Sequence, residues 1–220
     1  YVAGAMNIQH LEYDINRNNH PISSSQIKFD LLKYWEFLAP GAQRYFQKKV
    51  SLLGTESTGK STLAKLLASH YSGSLVEEIG REVISNSEEY SKDSLLEVVD
   101  LHAKNIDSAV SVMSPLIVID TDVYITQSYS MFAFGEYLDL SDWIYSANRT
   151  DLRLYLESSV GFFQDGTRMS KSQRDKLDIC HQNTLDHFDI DIHELTGSYE
   201  QRNEKAHQAI RHLFDYNWVA

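Results

Sequence analysis

The stretch Gly54-Thr55-Glu56-Ser57-Thr58-Gly59-Lys60-Ser61 satisfies GxxxxGK[ST] in full and is bracketed by the two elements such a loop requires. Apolar Val50-Ser51-Leu52-Leu53 runs straight into it, and Leu63, Ala64, Leu66 and Leu67 leave it at helical spacing. The order is strand, loop, helix. The glycines let backbone N–H groups turn inward on phosphate oxygens, Lys60 reaches the terminal phosphates of a nucleotide, and Ser61 offers its hydroxyl to Mg2+. Glu56, Ser57, Thr58 and Gly59 within the loop, with Thr62 just after it, line the same ligand. A helix opening there adds its positive dipole end.

A loop of this kind sits in a parallel sheet, and the rest of the chain supplies one. Short apolar runs alternate with helical stretches, the pattern of an α/β fold with helices on both faces of the sheet. Five strands are expected, at 49–53, 74–78, 115–120, 151–157 and 190–195. Between the second and third, Leu95, Leu96, Val99, Ile106, Val110 and Met113 mark a helical stripe with Asp93 as its expected cap. Residues 122–147 read as two helices broken near Gly135, 170–188 as another and 199–215 as the last. The P-loop domain is taken as 47–220, and residues 1–46 as a short helical N-terminal unit. There, Pro21 to Lys28 reads as a serine-capped helix start, with a second anion site, built from serine hydroxyls, free N–H groups and Lys28, as the sharper alternative.

A phosphate loop holds a nucleotide without saying what is done with it, so the acids around it matter. The third strand ends in Asp120-Thr121-Asp122, at the carboxyl edge where open α/β sheets bind ligands. Asp120 is expected to hold the Mg2+ shell through water, opposite Ser61. Asp122 is expected either to touch the acceptor or to cap the helix that follows. The second strand ends in Glu77-Glu78-Ile79-Gly80-Arg81-Glu82, where Glu78 is placed to take a proton from an acceptor hydroxyl and Arg81 is an orienting or phosphate-facing cation. After the fourth strand, Asp165-Gly166-Thr167-Arg168 precedes Lys171 and Arg174, an unusual cationic cluster in an acidic chain. It reads as a lid that brings Arg168 and Arg174 to the transferring phosphate and excludes water. The aromatic residues after Asp122 are mostly core, with Tyr124 the candidate for lining an acceptor pocket.

Composition narrows the class of function. The formal net charge of -11 over 220 residues argues against a nucleic-acid-binding surface and for small-molecule chemistry. No apolar run approaches the roughly 20 residues needed to cross a bilayer, so no membrane partner is expected. Cys180 is the single cysteine, which forbids an internal disulfide and suits a cytoplasmic location. None of the nine histidines has a second His or Cys at metal-ligand spacing, and none is given a role. The chain opens on Tyr1 instead of Met, so a fragment, a processed product or further upstream residues are expected.

With these residues in place, the chain resembles the ribosylnicotinamide kinase domain of NadR-type NAD-biosynthesis proteins. The likeness rests on Leu53-Gly54 through Lys60-Ser61-Thr62, Glu78-Ile79-Gly80-Arg81-Glu82, Ile119-Asp120-Thr121-Asp122 and Asp165-Gly166-Thr167-Arg168, in that order, and covers 47 to about 213. It implies ATP and Mg2+ as cofactors, the 5'-hydroxyl of nicotinamide riboside as acceptor and nicotinamide mononucleotide as product. Lys60, Glu78, Asp120, Asp122 and Arg168 are then the catalytic group, with Asp165, Arg81 and Tyr124 on the acceptor. Pro21 to Lys28 is similar to the ISSTxIR signature of nicotinamide-nucleotide adenylyltransferases, with Lys28 in place of the usual arginine. The HxGH-bearing half of such a domain is absent, which implies either a piece of a bifunctional protein or a structural remnant. A non-catalytic module that senses ATP or NAD is the competing reading, and acids plus lid arginines favour catalysis over it.

Overall fold

The computed structural model describes residues 16, 18, 19, 21–83, 90–157 and 171–215, with the backbone alone at 81, 82 and 171. Two short helices, α1 (Ser24–Phe29) and α2 (Pro40–Phe46), lead into β1 (Lys48–Leu53) and α3 (Lys60–His70). Then come β2 (Ser74–Val76), α4 (Gly80–Val83), α5 (Lys92–Ser111), β3 (Leu116–Asp120), α6 (Val123–Phe134) and α7 (Asp142–Ala147). The chain continues through β4 (Leu152–Leu156), α8 (Lys171–His187), β5 (His193–Leu195) and α9 (Tyr199–Leu213). The strands form one parallel sheet in the order β2-β3-β1-β4-β5. β1 is therefore central, and the loop that follows it emerges at the middle of the carboxyl edge.

The period of two along each strand divides the core between two faces. Val50, Leu52, Leu116, Val118, Leu154 and Leu156 point to the side covered by α3 and α9, where they pack with Leu63, Leu67, Ala206 and Ile210. On the opposite side Ile117 and Ile119 meet Ile106 of α5, and Leu53 and Tyr155 meet Ile125 of α6 and Leu185 of α8. All of these are buried.

The expected strands form, but the edge ones are shorter than the apolar runs. β2 pairs only Ser74–Val76 with Ile117–Ile119, and β5 pairs only His193–Leu195 with Leu154–Leu156. α5 is capped by Ser91, whose side chain and that of Ser94 satisfy each other's backbone N–H groups, so Asp93 falls in the first turn instead of at the cap. Gly135 ends α6 as expected. In α1, Ser23 forms a capping box with Gln26, which is the helix-start reading of that serine run. Trp35 Nε1 donates to the Met113 carbonyl at 2.8 Å and Gln47 Nε2 to that of Ser114 at 2.8 Å, docking the N-terminal segment on the turn before β3. Among the described residues no helix is long and apolar enough to cross a membrane.

Candidate active site

β1 delivers the chain into the loop at Gly54, which adopts φ +129°, and Gly59 closes it at φ +91°. A Cβ on Gly54 would stand 2.5 Å from the carbonyl oxygen of Leu156 on the neighbouring strand, so both the dihedral and the space demand glycine. Ser57 also holds a positive φ, 63°, in the middle of the loop. Thr55 is the internal anchor. Its carbonyl accepts from Thr58 Oγ1 at 2.9 Å and from the Lys60 ammonium at 2.7 Å, and its hydroxyl accepts from Arg174 Nε at 3.3 Å. Thr55, Thr58 and Lys60 are buried, Glu56, Ser57, Gly59 and Ser61 half-buried, and Thr62 is exposed on the first turn of α3.

Two further arginines brace this frame. Arg202 of α9 donates to the carbonyl of Thr58 at 3.5 Å and to that of Glu157 at 3.0 Å, linking the loop to the end of β4. Arg174, on α8, is 3% exposed, an unusual depth for a guanidinium.

The strand-end acids divide. Asp120 shares the parity of Leu116 and Val118, which places it on the α3 side, in register with Leu52 of β1. It is 3% exposed, and its Oδ1 has no hydrogen-bond partner among the described residues. The next residue, Thr121, donates its N–H to the Leu52 carbonyl at 3.1 Å and so pins this turn just before the loop. A buried, unsatisfied carboxylate oxygen costs stability and is characteristic of a group kept for a ligand. Asp122 has the opposite fate. Its Oδ1 accepts the Tyr124 N–H at 3.0 Å as the cap of α6 and its Oδ2 accepts Arg153 Nε–H at 3.1 Å, with the side chain sealed from solvent. Burial raises its pKa, against the pull of Arg153 and the helix amides. Of the two roles expected of Asp122, the structure shows the cap, together with an ion pair to Arg153.

Tyr124 follows on the first turn of α6. Its ring lies 5.3 Å from the Arg153 guanidinium and contacts the rings of Tyr145 and Phe188, so it belongs to an aromatic cluster on the flank of the sheet. Glu78 stands half-buried two residues past the end of β2, at the carboxyl edge, while Glu77 is exposed in an ion pair with Lys65 at 3.1 Å. The Arg81 side chain, Asp165 and Arg168 lie outside the described residues. Several groups escaped the sequence reading. Tyr155 donates to Asp178 at 2.6 Å, His181 is wholly buried beside Ser128, and Tyr90 donates to the Tyr129 carbonyl at 3.2 Å. The Tyr90 phenol is pushed up to about 12, first by burial and then by Cys180 and Glu56. The signal for the α8 groups was present in the spacing of Arg174, Asp178 and His181, which share the face of Leu177 and Leu185. Among the described residues no three His, Cys, Asp or Glu side chains gather as a metal cluster. A phosphate-bound cation does not need one, since a hydroxyl, one acid and phosphate oxygens suffice.

A family model described as AAA domain matches residues 49–202, from β1 through the arginine of α9. The chain belongs to the AAA domain family. This AAA domain is 30% identical over 190 residues to the trifunctional NAD biosynthesis/regulator protein NadR of Escherichia coli (strain K12), a match covering 82% of the chain and 45% of that relative. The chain thus spans less than half the length of that relative. Among solved structures, a NadR protein in complex with NR superposes with a TM-score of 0.64 at 22% identity, over 93% of this chain and 61% of the other. A deoxyadenosine kinase from M. mycoides superposes with a TM-score of 0.57 at 13% identity, over 74% and 99%. The fold of this AAA domain is that of P-loop kinases.

Proposed function

We propose that this AAA domain transfers the terminal phosphoryl group of ATP to the 5'-hydroxyl of nicotinamide riboside, forming nicotinamide mononucleotide in NAD biosynthesis. The observation that carries the reaction is Asp120: a buried carboxylate with one oxygen unpartnered among the described residues, on the sheet face covered by the helix that opens with Lys60 and Ser61. The likeness to NadR, and to a NadR structure holding NR, supports the acceptor.

In this scheme the loop amides and Lys60 hold the β- and γ-phosphates, and Arg174, already seated on Thr55, offers its guanidinium to the same groups. Ser61 and, through water, Asp120 would hold Mg2+, which when bound neutralises charge on the phosphate oxygens. Glu78 takes the hydroxyl proton, and Arg168 and Asp165 close over the reacting groups. Transfer of this kind depends mainly on positioning and electrostatics, so the hydroxyl proton is a smaller matter than the alignment of acceptor and phosphate. The acceptor's cationic pyridinium suits a chain of net charge -11. The similarity of Pro21 to Lys28 to an adenylyltransferase signature, together with the fraction of NadR that is matched, supports residues 1–46 as the end of such a domain in a longer protein.

The test is ATP consumption measured across a panel of nucleosides with Mg2+. Nicotinamide riboside should be turned over well above adenosine, cytidine, uridine and deoxyadenosine; activity no higher than theirs overturns the acceptor. Intact-mass measurement of the natural protein tests the upstream domain.

A further inference from the structure

Tyr155 and Asp178 have no part in that scheme, yet the hydrogen bond between them closes a ring around the phosphate loop. Tyr155 of β4 is the ladder partner of Leu53, the last residue of β1 before the loop. The next carbonyl along β4, that of Leu156, is the one Gly54 packs against. The loop is therefore built on β4 at this level. There the Tyr155 phenol donates to Asp178 Oδ1 of α8 at 2.6 Å, the length of an O–H bonded to a carboxylate. Burial first, and then Asp178 itself, push the phenol pKa up, so the phenol keeps its proton and stays the donor. One turn back along the same face of α8, Arg174 gives its Nε–H to Thr55 Oγ1 at 3.3 Å, inside the loop. Tyr155, Asp178 and Arg174 are all buried.

The ring thus runs from Thr55 back to Leu53, across the ladder to Tyr155, through the phenol to Asp178, and along one helical turn to Arg174 and Thr55 again. We propose that Tyr155 is a positioning residue for phosphoryl transfer, setting the height of α8 on β4 so that Arg174 stays seated at the loop. The apolar side chains α8 buries, Leu177 and Leu185, cannot do this alone, because burial of apolar surface has no direction and tolerates sliding. A short hydrogen bond from a strand to a helix has both a length and a direction. Since positioning dominates this chemistry, a small shift of α8 is felt at the nucleotide through the guanidinium.

This rests on the ATP-dependent transfer proposed above and not on which alcohol is phosphorylated. A double-mutant cycle tests it, because an effect that passes through Arg174 vanishes once Arg174 is gone. Wild type, Tyr155→Phe, Arg174→Met and the pair are titrated by calorimetry with adenylyl imidodiphosphate and Mg2+, with melting curves to show that each is folded at the assay temperature. Y155F removes one oxygen and keeps the ring. It should weaken the analogue about fivefold and R174M about tenfold, the scale of one hydrogen bond misplaced or lost. The pair should match R174M within about twofold. Independent losses, multiplying to about fiftyfold in the pair, overturn the role, as does wild-type affinity in Y155F. Asp178→Asn still offers the phenol an oxygen and should stay within about threefold of wild type; a loss as large as that of Y155F assigns the effect to the carboxylate charge and overturns the role of the phenol. The same cycle in kcat with nicotinamide riboside keeps the two readings apart. Coupling in nucleotide binding without turnover means that the acceptor assignment has failed and the positioning stands, whereas turnover with independent losses means the reverse.

Discussion

Asp120 and Asp122 stand two residues apart on one turn, yet only the first keeps an oxygen without a hydrogen-bond partner among the described residues. Asp120→Asn preserves shape and removes the charge; it should lower kcat by roughly 10²-fold, the usual loss for one electrostatic group at a transferring centre, with thermal stability intact. Asp122→Ala should do the reverse. It strips the cap of α6 and leaves Arg153 without its partner in a side chain that is itself only 13% exposed, so urea denaturation should show a loss of about 3 kcal/mol. His102 on α5 makes a third case, with burial bringing its pKa down to about 4. Since the unfolded imidazole titrates near 6.5, the unfolded chain takes up the proton first as pH falls, and stability present at pH 7 is lost progressively between about 6.5 and 4. His181 adds a second such proton, its own loss continuing toward about 3. Urea midpoints from pH 7.5 to 5 should decline in wild type, and His102→Leu should remove about one proton from the slope.

Among the elements, the strand–loop–helix unit around Gly54 is the least tolerant of change. Gly54→Ala should abolish nucleotide binding, read by titration calorimetry, because the new methyl meets a backbone oxygen that cannot move without breaking the β1–β4 ladder. This unit was legible in the amino-acid sequence because every requirement is local: glycine at the positive-φ positions, a period of two before them and of 3.6 after. Other features were not local and so were not legible. The fate of Asp122 depends on Arg153, 31 residues further on. Tyr124 has the composition of a pocket residue, but α6 turns it toward Tyr145 and Phe188. His181 was passed over because histidine spacing was searched for metal partners, whereas its hydrogen-bond partner is Ser128, on another helix.

At the scale of the whole molecule, the two faces of the sheet are built differently. Under α3 and α9 the apolar cluster runs without interruption from Val50 to Ile210. Under α5, α6 and α8 it breaks into smaller clusters with polar pairs set between them: Asp122 with Arg153, Tyr155 with Asp178, Ser128 with His181. Deuterium exchange followed by mass spectrometry should find the amides of β1, α3 and α9 among the last to exchange and those of α6 and α8 earlier, since local opening is easier where fewer apolar contacts must part. On the proposed reaction, the side of the sheet that carries Lys60 and Ser61 is then the one expected to open last. Sequence drift on the other side would change which alcohol is accepted while leaving the hold on the donor as it was.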